Sequence, residues 1–245
     1  PTTQDMIKIS NGDLFICIGG PSEDWAKRIL ESFDTGRKIK VLSLIDVVPA
    51  VDEELVEGME DDEKDDFSQH ELDEHVWTSP ANAVRIVNAI TEALCSVDSS
   101  NAPVFRKNAS VYIEKLEKLD KAFEDVTRSA VRRTIVFGDR FPFRYLADRY
   151  GLSYYAAFPG CSTETDAGAA TVAFLIDKVR TERIPVVFHQ EFSNGLMADA
   201  ICESTGARKL MLHSCHNVSR DDLELGTSYL DLMTQNVLFL KEALL

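Results

Sequence analysis

Five histidines occur in the chain, and two of them, His213 and His216, lie three residues apart in the segment His213-Ser-Cys215-His216-Asn217. Neutral imidazole is a good ligand for zinc, copper and nickel, and a nearby carboxylate neutralises charge at such a centre. A His-x-x-His spacing in a loop fits a pair of hydrogen-bonded loop histidines as well as a metal pair, so the spacing alone leaves both readings open. His75 stands just before Val76-Trp77 at the foot of an acidic run, His70 lies within that run, and His189 ends an apolar stretch in a structural position. Ligands of open α/β sheets sit beyond the carboxyl ends of the strands. The polar residues that follow apolar, strand-like runs are therefore the candidates: Asp139 and Arg140, Glu164, Gln190 and Glu191, and the two loop histidines. No G-x-S-x-G, P-loop, G-x-G-x-x-G or H-E-x-x-H pattern occurs. Cys161 or Cys215 beside a histidine imitates a nucleophile pair, but structural cysteines are commonly inert. No catalytic residue is assigned, and the chain is expected not to be an enzyme.

The positioning elements are those of an α/β protein. Strand-like runs at 134–137, 154–158, 184–189 and 209–212 alternate with helical patterns at 141–150, 166–180, 194–204 and 228–244. That alternation argues for a parallel sheet covered by helices on both faces. The first part repeats the theme on a smaller scale: a helix over 2–10, a strand at 14–18, a helix from a Ser22 cap to about Phe33 and a strand at 38–44. Ser79-Pro80 is a further helix start, with a capping hydroxyl and proline at the first position. Between the two parts Tyr112, Leu116, Leu119, Phe123, Val126 and Ala130 step by four and three, an apolar stripe on one long helix over 108–130. The division expected is an N-terminal lobe over 1–107, a linking helix over 108–131 and a C-terminal lobe over 132–245.

Composition narrows the partners. The 245 residues carry a net charge of −15, which disfavours nucleic acid because phosphate binding needs surplus Lys and Arg. The segment 52–74 holds 13 acids against the single base Lys64 and so supplies most of that charge. Such a run repels itself, and a mobile loop is expected there. No apolar stretch is long enough to cross a bilayer. The cysteines Cys17, Cys95, Cys161, Cys202 and Cys215 show no Cys-x-x-Cys spacing.

Four segments together resemble one family. Asp73-Glu-His75-Val-Trp77-Thr-Ser79-Pro80-Ala-Asn-Ala is similar to the D-P-H-x-W-x-(S/D)-P-x-N-A signature of the cluster A-I solute-binding proteins, which feed zinc or manganese to ABC importers. Pro1-Thr-Thr-Gln-Asp-Met-Ile resembles that family's E-P-T-x-x-D-I helix start. Phe143-Arg-Tyr-Leu-Ala-Asp-Arg-Tyr150-Gly-Leu resembles F-x-Y-(F/L)-A-x-x-Y-G-L, and Thr205-Gly-Ala-Arg-Lys-Leu-Met-Leu resembles T-G-A-K-x-L-x-L. The closing helix, with Tyr229 and Asn236, matches as well.

The resemblance implies two α/β lobes, each a parallel-type sheet flanked by helices, joined by one long rigid helix with the metal clamped between them. It implies that His75 is a ligand, that the last ligand position falls on His213, and that a first ligand histidine lies upstream of Pro1. The third position, usually His or Glu, falls on Arg140, which has no lone pair to offer a metal. Asp139 beside it is the substitute, and Arg140 then pairs with a carboxylate or reads an anionic group. The expected metal set is thus His75, His213 and Asp139, with Arg140, Glu164, Glu191 and His216 in supporting or ligand-contacting places. Zinc is favoured over manganese by the histidines. The partner implied is the membrane permease of an ABC importer, the location extracytoplasmic, as a lipoprotein or periplasmic protein, and the state monomeric. Two other classes remain: a protein of this fold for an anionic or chelated ligand read by Arg140, and an adhesin-type surface protein. In such a location Cys161 and Cys215, in strand-end loops of one lobe, are expected to form a disulfide; the alternative is a free Cys215 thiol beside the metal.

Overall fold

The computed structural model describes residues 1–33, 39–59, 72–160 and 168–245. The first part begins with helix α1 (Thr3–Ser10), started by a capping box in which Thr2 and Asp5 satisfy each other's backbone N–H groups. Strands β1 (Leu14–Cys17) and β2 (Lys40–Ser43) pair in parallel around helix α2 (Asp24–Ser32). Helix α3 (Pro80–Val97) opens at Pro80 as expected, although the Ser79 hydroxyl makes no capping hydrogen bond, and buries Ile86 against Leu44, Ile45, Val48 and Val76. Helix α4 (Ala102–Arg128) is longer and earlier than the apolar stripe alone suggested, because Pro103 also suits a first helical turn. Its 27 residues span about 40 Å at 1.5 Å per residue.

The second part is one four-stranded parallel sheet in the order β4-β3-β5-β6, built from β3 (Thr134–Phe141), β4 (Ser153–Pro159), β5 (Val186–His189) and β6 (Arg208–Met211). Alternate side chains serve opposite faces, as the pleat demands. Ile135, Phe137 and Phe188 join Leu119, Phe123 and Val126 of α4 on one face, together with α5 (Arg144–Tyr150) and α9 (Tyr229–Leu244). Val136 and Val187 join the other face with α6 (Ala169–Thr181) and α7 (Leu196–Thr205). Gly138 is where α7 meets the sheet: a Cβ there would lie 2.6 Å from the Ala198 Cα, so only glycine allows that approach. One short helix, α8 (Arg220–Leu225), escaped the periodicity argument because it buries none of its own side chains.

Two expectations need correction. Residues 138–141 are not a loop leading into a helix; β3 runs through them, and α5 starts only at Arg144. Pairing shifts register between Phe137 and Arg140, where β3 carries one residue more than β4, a bulge that re-aims the side chains near it. The acidic segment is also not a free loop from its first residue. Val56 and Met59 pack on the core around α4, Glu54 lies 3.4 Å from Arg144 and accepts the Tyr154 hydroxyl at 3.3 Å, and Glu57 lies 3.2 Å from Lys178. Residues 60–71, with His70, lie outside the described residues. Among those described, no helix is long and apolar enough to cross a membrane.

Candidate metal centre

The chain leaves β3 toward β4 on one side and returns to place β5 on the other, so the sheet reverses direction beside β3. Ligand sites of open α/β sheets form at such a reversal, beyond the carboxyl ends of the strands. A cavity of about 410 Å³ lies there, lined by Asp139 and Arg140 from β3, Gln190 and Glu191 after β5, and Ser214, His216 and Asn217 after β6.

His75 comes to this region from the first part of the chain. Asp73 folds back on it: one carboxylate oxygen accepts the His75 backbone N–H at 2.7 Å and lies 3.1 Å from the ring Nδ1. Asp73 is held by its own carbonyl, which accepts the Tyr145 hydroxyl at 2.7 Å. With a carboxylate as partner, Nδ1 carries the proton and Nε2 keeps its lone pair, which is how histidines are oriented behind metals. The ring reaches the sheet of the second part: a Cβ on Gly160, just after β4, would meet His75 Cε1 at 3.3 Å.

The opposing imidazole is that of His216. Its ring centroid is 6.0 Å from that of His75 and 5.6 Å from that of Trp77, both at steep angles. Trp77 fastens this corner: its indole N–H donates to the Ser214 carbonyl at 2.8 Å, and its carbonyl accepts the Tyr229 hydroxyl at 2.8 Å. Cys215 adopts φ 60°, a left-handed conformation unusual for a residue with a side chain, and turns the loop so that the exposed His216 follows the buried His213. Phe192, at φ 59° and exposed, lines the same cavity. Such outliers gather at functional sites.

His213 is built into the protein instead. Its backbone is clasped by Asn236, which accepts the His213 N–H at 2.8 Å and donates to its carbonyl at 2.7 Å. Its Nδ1 accepts the Cys215 N–H at 2.9 Å, so the proton of the neutral ring sits on Nε2 and no lone pair is left facing outward. Glu191 is buried and pinned by Ser214, whose N–H donates to it at 2.8 Å and whose hydroxyl donates to its other oxygen. Asp139 is buried and accepts the Arg140 N–H at 2.8 Å and the Gln190 N–H at 3.3 Å. Both carboxylates thus hold the strand-end loops together. Glu164 and Cys161 lie outside the described residues. Cys215 carries a free thiol, and burial first, then the Glu191 charge, pushes it up to about 12. Among the described residues no three His, Cys, Asp or Glu side chains converge as a ready metal cage.

Sequence reasoning singled out His75 but gave Asp73 and Trp77 no roles beyond their motif. The signal was the two-residue spacing Asp-x-His-x-Trp, which lets an aspartate side chain accept the backbone N–H of the histidine two residues on.

Comparison with known proteins identifies the family. The family model described as "Zinc-uptake complex component A periplasmic" matches residues 1–243. The zinc-binding lipoprotein AdcA of Streptococcus pneumoniae (strain ATCC BAA-255 / R6) is 29% identical over 245 residues, covering 99% of this chain and 48% of AdcA. The chain thus spans about half the length of that relative. The high-affinity zinc uptake system protein ZnuA of Bacillus subtilis (strain 168) is 29% identical over 250 residues, covering 100% of this chain and 76% of that protein. The crystal structure of the Zn(II)-bound ZnuA-like domain of S. pneumoniae AdcA superposes with a TM-score of 0.78 at 27% identity, covering 100% of this chain and 84% of the other.

Proposed function

The chain belongs to the family of component A of zinc-uptake complexes, and on that premise we propose that it captures Zn(II) between its two parts and delivers it to the membrane permease of an ABC importer. The single observation that carries this reading is the approach of His75 and His216 to 6.0 Å, with His75 oriented by Asp73 to offer Nε2. Two imidazoles on one zinc, each about 2.0–2.1 Å from the ion, have ring centroids roughly 5 Å apart. Capture therefore needs an approach of only about an ångström. Two imidazoles suit zinc better than manganese, which prefers oxygen donors.

His216, rather than His213, is the proposed last ligand, because His213 already spends Nδ1 on Cys215 and its backbone on Asn236. Asp139 and Glu191 are proposed as supports of the loops rather than as donors to the ion. The role proposed is that of a carrier rather than a catalyst, in keeping with a family of zinc-uptake components. Delivery to a permease and an extracytoplasmic location follow from the same reading, by analogy with the lipoprotein and periplasmic proteins it resembles.

Competition titration of zinc against a chromogenic chelator tests the assignment. His75→Ala and His216→Ala should each weaken binding by at least about 10- to 100-fold, the loss that removing even an outer partner of a ligand brings. His213→Ala should weaken it far less. Unchanged affinity in His216→Ala would overturn the proposal.

A further inference from the structure

Trp77 stands where both imidazoles and both parts of the chain meet. Its ring centroid is 5.5 Å from that of His75 and 5.6 Å from that of His216, and those two are 6.0 Å apart, so the three rings form a nearly equilateral triangle. The indole packs on the core of Leu44, Ile45, Val48, Val76 and Ile86 in the first part. Its polar groups reach the second part instead. The ring N–H donates to the Ser214 carbonyl, 137 residues on, and the backbone carbonyl accepts the Tyr229 hydroxyl. An indole N–H can only donate and offers a metal no lone pair, so any effect of Trp77 on the ion runs through the residues it holds. Ser214 makes that hold tight. It is buried, its N–H and hydroxyl both donate to Glu191, and its Oγ accepts the His216 N–H at 3.2 Å. The Trp77 bond thus ties the turn that carries His75 to the short loop that ends at His216.

We propose that Trp77 is the positioning residue of the metal centre: its ring fixes the angle between the two imidazoles, and its N–H latches the His216 loop to the His75 turn, so that opening of this latch sets how fast zinc leaves. This rests on the shared His75–His216 site above and adds the residue that preorganises it. An ion that must gather two imidazoles from separate segments loses affinity to the ordering of both. Segments already tied together lose less.

Stopped-flow release of zinc from the full chain into excess chelator tests it. Trp77→Phe, which keeps a ring and removes the N–H, should release zinc about tenfold faster, the effect of losing one buried hydrogen bond, while the association rate stays near that of the wild type. A sulfur isostere of the Trp77 indole, with the same shape and no N–H, should do the same and serves if Trp77→Phe does not fold. A second readout is spectroscopic. The two tryptophans of the chain are Trp77 and Trp25, the latter on α2 and 40% exposed. In Trp25→Phe, zinc should shift the emission of Trp77 and saturate at one ion per chain; in Trp77→Phe, zinc should leave the remaining emission unmoved. A wild-type release rate in the isostere, or a Trp77 emission blind to bound zinc, would overturn the role and leave metal capture standing, because capture is judged by the histidine variants. Zinc affinity unchanged in both His75→Ala and His216→Ala would instead remove the shared site and this role with it.

Discussion

Asp73 shows how much of the centre depends on a residue that need not touch the ion. Its carboxylate fixes the tautomer of His75 and also accepts that residue's backbone N–H. Asp73→Asn keeps an oxygen for the N–H but removes the charge that makes the imidazole a better donor. Zinc affinity should fall by about 10- to 100-fold, with little change in the unfolding midpoint; wild-type affinity by competition titration would show that the pair is merely structural. The Asp-x-His-x-Trp spacing made this corner legible in the sequence. The choice between His213 and His216 was not legible, because three residues in an irregular loop carry no periodicity. The left-handed turn at Cys215 decides which histidine faces outward, and nothing in the residue type announces it.

At the scale of elements, the alternation of apolar runs and helical patterns revealed all four strands of the larger sheet to within a few residues. It could not show the bulge in β3, since one extra residue leaves the local pattern unchanged while shifting Arg140 against Phe158. Gly138 sits within that irregularity and under α7. Gly138→Ala would press a methyl against the Ala198 backbone, so α7 and the loop before it must move away from the sheet. The expected cost is about 1–3 kcal/mol, typical of overpacking a tight contact. Chemical denaturation should show it as a lower midpoint with an unchanged slope, and an unaltered midpoint would mean that α7 is not seated by this contact.

Across the whole molecule, the long helix α4 and the two parallel sheets follow from patterns visible in the sequence. The contact made by the start of the acidic segment does not. Composition argues for solvation there, yet Val56, Gly58 and Met59 interrupt the acids, and they dock on the larger sheet's side of the protein. Gly58, at φ 92°, lies so close to Phe174 that an added Cβ would stand 2.1 Å from the ring. Gly58→Ala should therefore release residues 52–59, visible as faster amide exchange at Met59, whose N–H is bonded to Val56. Unchanged exchange would show that the segment is held by its ion pairs instead. The central claim, that one zinc ion is shared by His75 and His216, is tested most directly by anomalous diffraction at the zinc edge from crystals of the zinc-loaded protein. The account predicts one dominant peak with Nε2 of His75 and a ring nitrogen of His216 at about 2.0–2.1 Å. A peak coordinated by His213, or one remote from His75, would contradict it.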